Sequence, residues 1–242
     1  MSKSAKSESV TYKKKHHIGL ITLSNGKYNE IQNAQFLDLD FLRRWIKEEK
    51  LKALVITGEG RHFSAGADLK ELTKKKHENI AEMLDRGKMI LDFIESLPIV
   101  TVAAIRGVCL GAGLEIALAC RYRICASNAT FGFPETQRGL IPGLGGTLRL
   151  TEQIGKSKAM YYTLSGERMD AETALKLGIV NKITGKKELK EETLKLIKTM
   201  TEHISMDQLQ AVLEEIDDAD SDERYSLYRM ESRNFAKLAA NL

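Results

Sequence analysis

Two glutamates, Glu115 and Glu135, stand twenty positions apart, each in a frame rich in small residues. The first closes Ile105-Arg106-Gly107-Val108-Cys109-Leu110-Gly111-Ala112-Gly113-Leu114-Glu115. The second ends Phe131-Gly132-Phe133-Pro134-Glu135, and Ile141-Pro142-Gly143-Leu144-Gly145-Gly146-Thr147 follows soon after. Two carboxyl groups brought together by a fold can serve as base and acid. Small residues beside them let backbone N–H groups approach a substrate oxygen. Base, acid and oxyanion donor are the parts needed for proton chemistry next to a carbonyl.

Each part also has a plainer reading. Glu115 lies among Leu114, Ile116, Ala117, Leu118, Ala119 and Cys120, the pattern of a buried helix. A carboxylate there is costly unless it is paired or functional, and an ion pair with Arg121 or Arg123 is the structural alternative. Glu135 follows Pro134 and precedes a polar loop, where an exposed carboxylate is ordinary, so its case depends on Glu115. Gly111-Ala112-Gly113 opens a helix whose first N–H groups lack intrahelical partners and favour developing negative charge. A similar turn, Phe63-Ser64-Ala65-Gly66-Ala67-Asp68-Leu69-Lys70, follows a strand ending at Thr57. There Asp68 can cap a helix and the Ala67 N–H can point into a cleft. On that segment alone, an unoccupied strand-to-helix turn accounts for the residues equally well.

Other chemistries lack their signatures. The lone GxG matches neither the dinucleotide fingerprint nor the phosphate loop. The histidines have no metal-ligand spacing. Ser64 is not framed as a nucleophile elbow. The Gly143–Gly146 loop reads as a shaping turn that leads into a helix containing Leu148 and Leu150.

The elements that must position these residues follow from periodicity. Strands are expected over 18–23, 51–57 and 99–105, with short ones near 122–126, 130–133 and 179–183. The unbroken apolar run of 99–105 suggests a strand covered on both faces. Helical patterns run over 36–46, 78–97 and 113–120. After about residue 150 the chain turns mostly helical, with segments at 187–203, 205–217 and 222–240. This predicts an α/β core over 16–186, a helical region over 187–242 and a flexible tail over 1–15.

The chain has 242 residues, 43% of them hydrophobic and 29% charged, which suits one large core with an appendage. No apolar run approaches the roughly 18 residues of a membrane span, and residues 1–15 lack the apolar segment of a secretory signal. Cys109, Cys120 and Cys125 are odd in number and form no CxxC pair. They read as buried reduced thiols of a cytoplasmic protein rather than a disulfide framework or zinc site. The net charge is +4. Lys13-Lys14-Lys15 and Lys74-Lys75-Lys76 read as solvated faces in preference to a nucleic-acid surface.

Taken together, these segments resemble the crotonase superfamily, the enoyl-CoA hydratase/isomerase family, from about Ile18 to Ile183. Phe63–Lys70 is similar to the family's first oxyanion and coenzyme A segment, Gly107–Glu115 to its second, and Pro134-Glu135 with Ile141–Thr147 to its third. The resemblance implies an α/β spiral of ββα units with a helical C-terminal trimerisation region. It implies that the Ala67 and Ala112 N–H groups bind a thioester carbonyl oxygen. Ala65, Ala67, Asp68, Leu69, Lys70 and Gly111 would contact the substrate. Glu115 and Glu135 match the two glutamates of family hydratases, which activate water for addition at Cβ and deliver a proton to Cα.

The implied reaction is reversible hydration of a 2-enoyl-CoA. A double-bond isomerase or a specialised dehydratase of the same fold is the alternative, and an RNA-binding relative a more remote one. No metal or redox cofactor is implied, since coenzyme A is part of the substrate. A homo-oligomer, trimer or dimer of trimers, is expected, with no membrane partner. Ala112 departs from the glycine that many relatives carry, which keeps the backbone donor but narrows the pocket. The chain is expected to end, at Leu242, before the final helix that closes many family members.

Overall fold

A computed structural model describes residues 6–7, 9–34, 36–70 and 77–217. Its centre is a seven-stranded sheet in the order β1-β2-β3-β4-β5-β7-β10. The strands are β1 (Lys6–Ser7), β2 (Val10–Lys15), β3 (Ile18–Leu23), β4 (Ala53–Gly58), β5 (Val100–Ile105), β7 (Tyr122–Ala126) and β10 (Lys182–Thr184). β3 through β10 run parallel, and β1 and β2 add antiparallel pairs at one edge. A smaller sheet joins β6 (Val108–Leu110), β8 (Thr130–Gly132) and β9 (Met169–Asp170). The mixed α/β architecture expected from the alternating periodicity is present.

The apolar runs become strands because both faces of the large sheet are covered. On β4, Leu54 and Ile56 face one core while Ala53 and Val55 face another. β5 is buried along its whole length, as its unbroken apolar run demands. One face packs against α1 (Leu39–Glu48), α2 (His77–Glu95) and α3 (Ala112–Leu118) through Leu42, Leu91, Ile94 and Leu114. The other is closed by two later helices, Leu189–Thr201 and Met206–Asp217, through Leu189, Ile197, Leu209 and Leu213. Lys52 reinforces that closure by donating its Nζ to the carbonyls of Thr201 and Ile204. The fully buried aliphatic side chains each contribute about 1.5–3 kcal/mol, so the helices cap the sheet as part of its core.

Two expectations change. The flexible tail over 1–15 gives way at Lys6–Ser7, where β1 pairs with β2, and β2 pairs in turn with β3 from Val10↔Leu23 to Lys15↔Ile18. Val10 and Tyr12 point inward, and Tyr12 meets the rings of Phe41 and Trp45. The three lysines read as a solvated face form the exposed half of that strand. The helix at 36–46 starts later, at Leu39, because the Asp38 carboxylate accepts the Phe41 N–H as its N-cap. The helix expected over 222–240 lies outside the described residues.

Candidate active site

Two strand-to-helix turns are pressed together by backbone pairing. Ser64 bridges Cys109: its N–H donates to the Val108 carbonyl, and the Leu110 N–H returns to the Ser64 carbonyl at 3.0 Å. Residues 63–66 therefore run beside 108–111. At Gly66 (φ 97°) a β-carbon would stand 2.8 Å from the Leu110 oxygen and 3.3 Å from the Ala112 nitrogen. Only glycine permits that approach. A β-carbon on Gly113 would in turn strike the Ser64 carbonyl at 2.7 Å.

The first turn is held from behind by buried Asn29. Its Nδ2 donates to the carbonyls of Glu59, His62 and Phe63, and its own carbonyl accepts the Ser64 hydroxyl. The bridge between Ile31 and Ala67 uses the Ile31 N–H on the Gly66 carbonyl and the Asp68 N–H on the Ile31 carbonyl. That pattern leaves the Ala67 N–H outside the ladder. The Ala112 N–H is equally outside the helical ladder, at the first turn of α3.

Glu115 projects from α3 and is fully buried. It makes no ion pair with Arg121 or Arg123. Arg121 binds Asp217 and the Leu97 carbonyl, while Arg123 donates to the Ile179 and Cys120 carbonyls and to Gln153. Instead, Glu115 Oε1 accepts two backbone N–H groups, from Leu144 at 2.7 Å and Gly146 at 2.8 Å. The loop read as a shaping turn is thus the clamp on the carboxylate. Gly146 must lack a side chain, because a β-carbon would lie 2.7 Å from Glu115 Cγ and 2.7 Å from Phe133 Cζ. The helix α4 (Gly146–Ile154) begins at that residue.

Glu135 reaches the same place from the other side. The Gly111 N–H donates to the Gly132 carbonyl at 3.0 Å, which ties the second turn to β8. A β-carbon on Gly111 (φ 51°) would then stand 2.7 Å from Glu135 Oε1. Glu135 Oε2 is buried and accepts no hydrogen bond from the described residues. Such an oxygen is poised for a small polar partner.

Ala67, Ala112, Glu115 and Glu135 all line one cavity of about 650 Å³. Asp68 and Leu69 line it as well, and Ile80, Met83, Leu84, Ile141, Leu144 and Leu148 form an apolar wall. Ala65, Lys70 and Gly111 flank the cavity without lining it. Asp68 caps the turn, accepting the Lys70 N–H at 3.0 Å.

Burial raises the Glu115 carboxyl from an ordinary 4.5 to about 7. The Gly146 and Leu144 N–H groups pull it down, Glu135 pushes it up, and Arg149 pulls it down more weakly. Glu135 is also raised, first by burial, against the downward pull of its own backbone and of Arg138. Two carboxyls with raised values line one cavity, an arrangement in which a protonated carboxyl can donate and an ionised one accept. His62 takes a structural place: its Nδ1 accepts the Val108 N–H, and its ring stacks on Tyr28.

The chain also matches known proteins. Residues 13–242 fit the family model for enoyl-CoA hydratase/isomerase. The chain belongs to this family. A Bacillus subtilis protein named "Probable enoyl-CoA hydratase" is 39% identical over 166 residues, which span 68% of this chain and 64% of that protein. The Pseudomonas aeruginosa protein DspI superposes with a TM-score of 0.87 at 31% identity, covering 98% of this chain and 97% of that one. A Thermobifida fusca structure in complex with CoA superposes with a TM-score of 0.83 at 25% identity, over 96% of this chain and 93% of that one. Within the family's fold, the three segments singled out in the sequence converge on one cavity.

The sequence pointed to the two glutamates and the two small-residue turns. It did not point to Leu144 and Gly146 as donors to Glu115, to Asn29, or to buried Arg149. For the loop, the signal was the paired glycines at 145–146, which matter because a carboxylate must approach the backbone there. Asn29 and Arg149 had no local signal, since most of their partners lie thirty or more positions away in sequence.

Proposed function

We propose that this chain adds water reversibly across the double bond of a 2-enoyl-CoA thioester, with Glu115 and Glu135 as the acid/base pair. The observation that carries the reading is the meeting of two raised-pKa carboxyls and two backbone N–H groups outside the ladders in a single apolar-walled cavity. Other enolate chemistries of the fold would need the oxyanion donors but not both carboxyls.

The thioester carbonyl oxygen is held by the Ala67 and Ala112 N–H groups. A water sits between the two carboxyls. The ionised carboxylate takes a proton from the water as its oxygen bonds to Cβ. The π electrons move toward the thioester, where the N–H groups stabilise the enolate oxygen. The protonated carboxyl gives its proton to Cα, and the pair ends with its proton exchanged between members. Water addition balances without an oxidant, a reductant or a metal, and coenzyme A arrives as part of the substrate. Asp68 and Leu69, on the first turn, and Lys70 just beyond the cavity contact the coenzyme A portion. The complex of the Thermobifida fusca relative with CoA supports that substrate class.

The chain works in the cytoplasm, where its three buried thiols stay reduced. It assembles as a trimer or a dimer of trimers. Exposed Leu148, Met160 and Leu164, on α4 and the helix Lys156–Ser165, support an association surface. Sedimentation at micromolar concentration tests this, and a strictly monomeric mass contradicts it. For the activity, the chain is mixed with crotonyl-CoA and the conjugated absorbance followed. Loss of absorbance at a rate proportional to protein is expected. Faster conversion of a 3-enoyl thioester to its 2-enoyl isomer would replace hydration with isomerisation.

A further inference from the structure

Arg149 stands behind the cavity wall on α4, buried, and no step of the proposed reaction uses it. Its guanidinium reaches three acceptors. Nη1 donates to the Leu144 carbonyl at 2.9 Å, Nε to Glu95 at 2.9 Å, and Nη2 to Asp92. Asp92 and Glu95 project from α2 with largely exposed carboxylates. The carbonyl that Arg149 holds belongs to the peptide joining Leu144 to Gly145. The N–H groups on either side, of Leu144 and Gly146, are the two that grip Glu115. At Gly145 (φ 89°) a β-carbon would stand 2.6 Å from Arg149 Nη1, so the loop closes tightly on the guanidinium.

We infer that Arg149 is a positioning residue for Glu115: by holding the Leu144 carbonyl it keeps residues 143–146 in the one shape that aims two N–H groups at that carboxylate. The inference rests on the reading of Glu115 as half of the acid/base pair. A planar fork with donors in fixed directions can serve three acceptors on two elements at once, whereas a lysine offers a single point charge.

Among the described residues, the charged groups acting on Glu115 are Glu135 across the cavity and Arg149 behind the loop, and Asp68 and Lys88 line the same cavity. Asp92 and Glu95 offset the arginine's charge from the outer side, and Arg138 faces Glu135. Losing Arg149 removes a nearby cation and lets the two N–H bonds relax. Both changes favour the protonated carboxyl, so the Glu115 midpoint should move upward from about 7.

The test uses Arg149→Met and Arg149→Lys in the full chain. With crotonyl-CoA, kcat should fall roughly 10–100-fold in each while KM stays within about threefold, as for a misplaced acid/base group. The infrared band of the protonated Glu115 carboxyl, assigned by its loss in Glu115→Gln, should persist to a pH about one unit higher. A lower melting temperature with unchanged kcat per folded molecule and an unchanged midpoint would overturn the inference. Should neither variant fold, Asp92→Asn combined with Glu95→Gln removes the outer anchors at exposed positions. That pair should lower kcat several-fold, and an unchanged kcat would overturn the inference. If the unaltered chain hydrates nothing, the proposed function fails, but the infrared midpoint needs no turnover and still decides the role of Arg149.

Discussion

Replacing Glu115 by glutamine separates what the chemistry needs from what the fold prefers. Burial holds this carboxyl at about 7, against an ordinary 4.5 in an unfolded chain. Between those values the folded protein keeps a proton that the unfolded chain has released. Its raised value therefore favours the fold fully below about 4.5, and that benefit is lost as pH rises through about 7. At about 1.4 kcal/mol per pH unit, the gap amounts to roughly 3 kcal/mol against the folded state above neutrality. Glutamine carries no charge to bury, and its carbonyl can still accept the Leu144 and Gly146 N–H groups.

Glu115→Gln should thus be more stable than the unaltered chain at about pH 8, by up to roughly 3 kcal/mol, and nearly equal to it at about pH 5. In a chain of this size that corresponds to a rise of roughly 6–12 °C in melting temperature at the higher pH. Turnover on crotonyl-CoA should fall by about 10²–10⁴ on the same preparation. Thermal melts at both pH values and rates per folded molecule decide it. A variant that melts lower at the higher pH yet keeps its turnover would mean that Glu115 serves only the fold.

Glu135→Gln should slow hydration by about 10²–10⁴ as well, and the double variant should lose far less than the product of the two effects, because both act on one water. Multiplicative losses in steady-state kinetics would contradict a shared water. Gly146→Ala would place a methyl 2.7 Å from Glu115 Cγ and from Phe133 Cζ. It should cost about 1–3 kcal/mol in denaturant unfolding and lower kcat more than it changes KM. Lys70→Ala should raise KM more than it lowers kcat, the mark of lost uniform binding. A collapse of kcat at constant KM would reassign Lys70 to the chemical step.

Much of the fold was legible because its main strands announce themselves. β3, β4 and β5 fall within two residues of their expected limits, since their apolar runs answer to burial on one or both faces. β2 was missed because its lysines outnumber Val10 and Tyr12, and pairing with β3 rather than local hydropathy holds it in place. At the site, residue types could nominate Glu115 and Glu135 but could not say what holds them. An ion pair was the obvious partner for a buried carboxylate, yet the fold supplies two backbone N–H groups from a loop some thirty positions on. Such contacts depend on how the 143–146 loop packs against α2 and α3, and backbone donors leave no trace in residue type beyond the glycines that permit the approach.

The most direct test of a two-carboxyl hydration site is the mass of the product formed from crotonyl-CoA in oxygen-labelled water. The unaltered chain should yield a thioester heavier by one labelled water, with the label on Cβ, while Glu115→Gln and Glu135→Gln, folded and at equal concentration, should each yield it at least about a hundredfold more slowly. A product of unchanged mass, or an undiminished labelling rate in either variant, would contradict hydration by this pair of glutamates.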